Sequence, residues 1–138
     1  MGTVRFGPED LTESVPPAGW YATRIGSCRW RTSAAGNQML QVVYGIEGIG
    51  AVYARLAEYY VLDEGATSPL AASLARRRLA TLYRAAGLSP NPGDPITPGD
   101  LVGAELEIEI EPELWQGRTR FRVVRHRSSA AAGRARTS

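Results

Sequence analysis

The chain has 138 residues, 43% hydrophobic and 22% charged, with a formal net charge of +2 and a pI near 9.0. That size predicts one globular domain, and a charge so near zero permits nucleic-acid binding without demanding it. A single cysteine and a single histidine exclude an internal disulfide and a cysteine-held zinc site. All sixteen basic residues are arginine, whose planar guanidinium stacks and binds bidentately in ways lysine does not.

In chain order, residues 1–15 are polar and without periodicity, and are expected to form a flexible arm. They carry no charged-then-apolar leader pattern, and no apolar run approaches ~18 residues, so a soluble, cytoplasmic protein without membrane contact is expected. The folded domain is expected over residues 16–126. Its first strand is predicted from Trp20 to Trp30, with Tyr21, Thr23 and Ile25 on one face. Gly26 interrupts this run and predicts a bulge. Without a change of phase, Arg29 and Arg31 would point into the core, which is costly for unpaired charge. With it, Cys28 and Trp30 turn inward. Cys28 then reads as a small inert hydrophobe. Trp30 reads as a core cap or, alternatively, as an exposed stacking platform.

Arg31 to Asn37 is a polar, basic turn with Ser, Gly and Asn suited to tight geometry. From Gln38 to Ile46, Leu40, Val42, Tyr44 and Ile46 alternate with Met39, Gln41, Val43 and Gly45, the signature of a strand with one face on a core. Gly48 and Gly50 flank a tight connection to a third strand, about Ala51 to Leu62. Its facing is open: Leu56, Glu58, Tyr60 and Leu62 share one side, and Tyr53, Arg55, Ala57, Tyr59 and Val61 the other. Tyr53, Tyr59 and Tyr60 cannot all be buried on one side, so at least one is expected to face solvent.

A helix is predicted from Pro69 to Ala86. Ser68 is its N-cap, Pro69 fits the first position and Gly87 is a C-terminal stop. Leu74, Leu79, Leu82 and Ala86 form the apolar stripe expected to pack on the strands, and Arg76, Arg77 and Arg78 read as a solvated face. Ser89 to Asp100, rich in Pro and Gly, predicts a surface loop. A final hairpin follows, with Leu106, Ile108 and Ile110 alternating with Glu105 to Glu111, and Phe121 and Val123 alternating with Arg118 to Arg122. With residues 112–117 as the loop, Glu111 faces Arg118, Glu109 faces Arg120 and Glu107 faces Arg122, giving one apolar face and one ladder of opposite charges. His126 has no evident catalytic partner, and residues 127–138 are expected to be a disordered basic tail.

Three strands, a helix and two strands match the order of the five-stranded Greek-key barrel called the OB-fold, with a mainly β architecture and a helix between strands 3 and 4. Such barrels bind oligonucleotides or oligosaccharides on the strand-2-to-3 face and on the loops joining strands 1–2 and 4–5. That geometry nominates Arg29, Trp30, Arg31 and Asn37 around the first loop, Tyr53, Arg55 and Tyr59 on strand 3, and Trp115 and Arg118 at the last loop. No His–carboxylate, Cys–His or metal-ligand spacing supports an enzyme or a bound cofactor.

Pro17-Ala-Gly-Trp-Tyr21 with Ile25, Thr32 to Gly36 and Leu40, then Leu79-Ala-Thr-Leu-Tyr-Arg-Ala-Ala-Gly-Leu88, then Asp100-Leu-Val-Gly103 before an alternating strand, resemble the phage family catalogued as domain of unknown function 669. The resemblance spans roughly Pro16 to Val124. It implies a phage or prophage origin and a single-stranded-DNA-binding role in replication or recombination within a bacterial host cell. The final Gly-Arg-Ala-Arg-Thr-Ser departs from the acidic tail by which many phage proteins of that function recruit partners. The alternative expectation is an interaction module for a phage recombinase or helicase with no nucleic-acid binding of its own.

Overall fold

The computed structural model describes residues 17–46, 55–62 and 68–129. The expected N-terminal arm, Tyr53, the Gly48–Gly50 connection, the start of the third strand and the tail beyond Ser129 lie outside the described residues. Five strands, β1 (Gly19–Thr32), β2 (Gln38–Ile46), β3 (Arg55–Val61), β4 (Glu105–Trp115) and β5 (Arg118–Ser128), form one antiparallel sheet in the order β3-β2-β1-β4-β5. One helix, α1 (Pro69–Ala85), links β3 to β4 and packs across both edge strands. The sheet is not closed into the expected barrel, because among the described residues no backbone ladder joins β3 to β5.

β1 is the spine. Its first half pairs with β4, from Gly19↔Ile110 to Arg24↔Glu105, and Thr23 to Thr32 pair with β2. The register shifts between Ile25 and Ser27, leaving Gly26 without a partner as the sequence predicts. Cys28 is accordingly buried opposite Val42, while Arg29 and Arg31 turn outward. Trp30 follows the inward phase beside Leu40 but sits so near the strand end that it remains 40% exposed.

The core lies between the inner face of the sheet and α1. Ile25, Leu40, Val42, Tyr44, Leu82, Leu101, Leu106, Ile108 and Ile110 are its largest fully buried side chains. Each aliphatic among them contributes on the order of 1.5–3 kcal/mol relative to an exposed position. α1 begins as expected: Ser68 Oγ accepts from the Ala71 N–H at 3.1 Å. It ends at Gly87, whose φ of +89° suits glycine, and the Leu88 N–H donates to the Tyr83 carbonyl. Its buried side is Ala72, Leu79, Leu82, Tyr83 and Ala85. Leu74, expected in the apolar stripe, is instead 52% exposed, and the buried side takes in Ala72 and Tyr83 beside the expected Leu79 and Leu82.

The final hairpin differs most from expectation. Its turn is only Gln116–Gly117, with φ +50° and +75°, the two positive angles of the turn that matches strand twist. Trp115 and Arg118 are therefore a cross-strand pair at the strand ends rather than loop residues. Glu113 faces Arg120 and Glu111 faces Arg122, four residues out of the predicted register. A bulge between Glu109 and Ile110 then restarts the ladder one residue later on β5, so that Arg125 faces Glu109 and Arg127 faces Glu107. β5 continues to Ser128, so Arg127 and Ser128 belong to the sheet and not to the tail.

Candidate nucleic-acid interface

The alternation of β1, β2 and β3 settles the facing of β3. Tyr59 stands opposite Gln41, and Gln41 opposite Arg29; Val61, Met39 and Arg31 form the next row, and Ala57, Val43 and Ser27 the row on the other side. Beyond it, Arg55, Gly45 and Arg24 complete the face. These side chains share the outer surface, and Leu56, Glu58 and Tyr60 share the inner one. Tyr59 is 50% exposed, and its hydroxyl accepts from Gln41 Nε2 at 3.0 Å, which fixes the ring orientation. Of the three tyrosines, Tyr59 is therefore an outward one and Tyr60 is buried.

This face is electrically one-sided. β1 and β2 contain no acidic residue, and the only one described in β3, Glu58, points inward. Arg24 pairs across to Glu105 of β4. Arg29, Arg31 and Arg55 have no acidic partner among the described residues. Between Arg24, Gly26, Ser27, Arg29, Val43, Gly45 and Arg55 the surface dips into a depression of about 400 Å³. Its floor is low because Gly26 and Gly45 carry no side chain.

The structure brings Arg29, Arg31, Arg55 and Tyr59 onto one surface, whereas Trp30 belongs to the inward phase of β1. Asn37 closes the adjoining turn through its backbone: its carbonyl accepts from the Ser33 N–H at 2.8 Å and its N–H donates to Ser33 Oγ at 3.1 Å. The turn is thus ordered and shorter than the expected basic loop. Trp115 and Arg118 are not part of this cluster. β4 runs five residues past its last pairing with β1, at Gly19, whereas Arg29 and Arg31 lie at the other end of β1. The register therefore separates the two expected loop clusters along the sheet.

On β4 and β5 the outer face is neutralised. Glu113–Arg120 at 2.6 Å, Glu111–Arg122 at 3.2 Å, Glu109–Arg125 at 2.7 Å and Glu107–Arg127 at 2.5 Å form a continuous ladder. Guanidinium groups stack on two tryptophans at this face: Arg120 lies 4.7 Å from the centre of the Trp115 ring, which remains 49% exposed, and Arg127 lies 4.0 Å from the centre of the Trp20 ring of β1. The hydrogen bond and charge of Arg125 hold the Glu109 carboxyl below its ordinary range.

Sequence reasoning missed a buried polar cluster between the two sheet edges. Glu58 of β3 is 7% exposed. Its Oε1 accepts from Tyr44 at 2.7 Å and Tyr60 at 2.8 Å, and lies 2.9 Å from His126 Nε2 of β5. Its Oε2 accepts from Arg78 of α1 at 2.7 Å, and Arg78 also donates to the Val123 carbonyl. Arg78 is therefore a bridge between helix and both edges, not part of a solvated run. Burial alone would raise the Glu58 carboxyl, but His126, Arg78 and the Tyr44 hydroxyl together hold it below its ordinary value. Burial and the Glu58 charge push the Tyr44 and Tyr60 hydroxyls well up. No buried side-chain polar atom of the cluster lacks a hydrogen-bond partner, and the cluster fastens the unclosed edges by side chains where no backbone ladder is described. The available signal was parity: an isolated Glu on an apolar strand face requires inward partners.

Among the described residues, no three His, Cys, Asp or Glu side chains are grouped to hold a metal ion, and no helix is long and apolar enough to cross a membrane. No protein-family model matches the chain, and no curated protein matches it.

Proposed function

We propose that the protein binds single-stranded DNA with little sequence preference along the outer face of β1, β2 and β3. The observation that carries this reading is the placement of Arg29, Arg31 and Arg55, without an acidic partner among the described residues, around the exposed Tyr59 ring. Unbalanced guanidinium groups attract phosphates. A fixed ring offers a base a stacking surface worth ~1–3 kcal/mol, which bases already paired in a duplex cannot use. Bases of any identity have such a face, so little sequence preference follows.

We also assign the architecture to the OB type. What supports it is the strand order, the helix between β3 and β4, and the bridging of β3 to β5 by Glu58, His126 and Arg78. In that type the face named here is the usual binding surface. A phage or prophage setting, in replication or recombination, rests on the resemblance of the sequence motifs.

A second reading, an interaction module for a phage recombinase or helicase, is favoured by one feature: Leu70 and Leu74, one turn apart, are both exposed on α1. Titration of the protein with oligo-dT, oligo-rU and duplex DNA at two salt concentrations, read by tryptophan emission and by anisotropy of labelled strands, separates the two. Salt-sensitive binding of oligo-dT exceeding that of duplex is expected. Absence of oligo-dT binding at low salt refutes the first reading and leaves the second.

A further inference from the structure

We infer that the depression over Gly26 and Gly45 is a phosphate-binding pocket. The inference deepens the reading of this face as a nucleic-acid surface by assigning where one phosphate is held. Three arginines, Arg24, Arg29 and Arg55, are among the residues that line the depression, and its volume of about 400 Å³ is ample for a phosphate and its ester oxygens. Arg24 is held at the rim by Glu105, while Arg29 and Arg55 have no acidic partner among the described residues. Their mutual repulsion is relieved by an anion seated between them, and guanidinium is well matched to phosphate oxygens.

The floor is suited to such a ligand. Gly26 is the bulged residue and has no partner in β2, and Gly45 stands in the outward phase of β2. Two neighbouring positions without side chains let a ligand approach the backbone closely. Neither glycine is required by its backbone angles, since neither has positive φ. Nor is either forced by crowding: a Cβ on Gly45 would meet its nearest atom, the Arg24 carbonyl oxygen, at 3.6 Å, and one on Gly26 would meet the Val43 carbonyl oxygen at 3.9 Å, ordinary contacts both. Sheet packing therefore leaves room for a side chain at each, and open space over the floor is what their absence provides. The phosphate belongs either to a polynucleotide backbone or to free inorganic phosphate, and the test separates these.

The intact protein is titrated with inorganic phosphate and separately with oligo-dT, following backbone amides by nitrogen–proton correlation spectra. Gly45→Val is compared in parallel; a β-branched residue suits the strand and raises the floor of the pocket. With phosphate, the Gly26, Ser27 and Gly45 amides are expected to shift together to saturation in the wild type, and the Ser27 amide to stay still in Gly45→Val with its spectrum otherwise dispersed as before. With oligo-dT, the same amides are expected to move, and Gly45→Val is expected to lower the slope of log affinity against log salt by about 0.7, one phosphate of a single strand. Phosphate shifts without oligo-dT binding uphold the pocket and refute the single-strand reading. Oligo-dT binding that leaves these amides unmoved, or a Gly45→Val slope equal to wild type, overturns the pocket and leaves the face reading intact. If Gly45→Val loses dispersion, Arg55→Gln in its place gives the comparison, by removing one cation from the pocket lining.

Discussion

Replacing Glu58 with Gln tests the fastening of the sheet edges. The carboxylate accepts from three groups through Oε1 and from Arg78 through Oε2, all within 2.9 Å. An amide presents one oxygen and one NH2, so either Arg78 or the Tyr44–Tyr60–His126 group meets a donor where it needs an acceptor. Removing one partner from a buried charged pair costs about 3–5 kcal/mol, an upper bound here because the Arg78 side chain is 44% exposed. That is a large part of the roughly 5–15 kcal/mol that holds a domain folded. With a urea slope of about 2 kcal/mol per M, the midpoint of unfolding should fall by up to roughly 2 M. Tyr44→Phe removes one donor only and should cost about 1.5–3 kcal/mol. The dependence on pH follows from the lowered folded-state value of Glu58. The stabilisation is fully present above the ordinary glutamate range, near 4.3, and is lost as pH falls through the depressed folded value. The wild type should therefore lose stability on acidification more steeply than Glu58→Gln. The readout is urea unfolding by circular dichroism at neutral and acidic pH. A Glu58→Gln midpoint equal to wild type, or parallel acid profiles, would show that the cluster does not hold β3, β5 and α1 together.

Three further outcomes follow from single sites. Tyr59→Ala should weaken oligo-dT binding by the ~1–3 kcal/mol of one stacked base without changing its salt slope, measured by anisotropy; a changed slope would mean that the ring acts by arranging the arginines. Burial pushes the Cys28 thiol up to about 11, so alkylation at mildly alkaline pH should be slow in the folded protein and fast in urea; equal rates would contradict its placement opposite Val42. Gly117→Ala places a side chain at φ +75° and should destabilise the hairpin by roughly 1–2 kcal/mol in urea unfolding, an effect that a longer, looser turn would not show.

What was legible in the sequence was local. β2 has the bounds its alternation predicts, the capping of α1 by Ser68 is as expected, and the bulge at Gly26 follows from refusing to bury Arg29 and Arg31. The register of the last hairpin was not legible, because Glu recurs at every second residue of β4 and Arg at every second residue of β5 up to Arg122. Any even shift pairs opposite charges equally well, so only the turn decides. Pro112 and Gly117 suggested the ends of a loop, yet Pro112 fits within β4 because β1 has already left it at Ile110. The buried cluster was hidden for another reason: Glu58 and His126 are 68 residues apart, and only the folded sheet makes them neighbours. Among candidate site residues, Arg55 and Tyr59 shared a parity, but the facing of strand 3 was open in the sequence, and only the observed ladder sets them beside Arg29 and Arg31. Trp115 and Arg118 were misplaced by the same register error.

The most direct test of binding through Arg29 and Arg31 is the salt dependence of oligo-dT affinity for three proteins. These are the wild type, Arg29→Ala with Arg31→Ala, and Arg120→Ala with Arg122→Ala. Arg120 and Arg122 already face Glu113 and Glu111, and such exposed pairs are worth only about 0–1 kcal/mol to stability, so this double variant should fold and bind as the wild type does. Arg29→Ala with Arg31→Ala should bind more weakly at every salt concentration, with a slope lower by about 1.4 if each arginine holds one phosphate of a single strand. Equal losses from the two double variants would mean that the glutamates do not neutralise Arg120 and Arg122, a larger loss from Arg120→Ala with Arg122→Ala would place binding on the β4–β5 hairpin, and either would contradict the account.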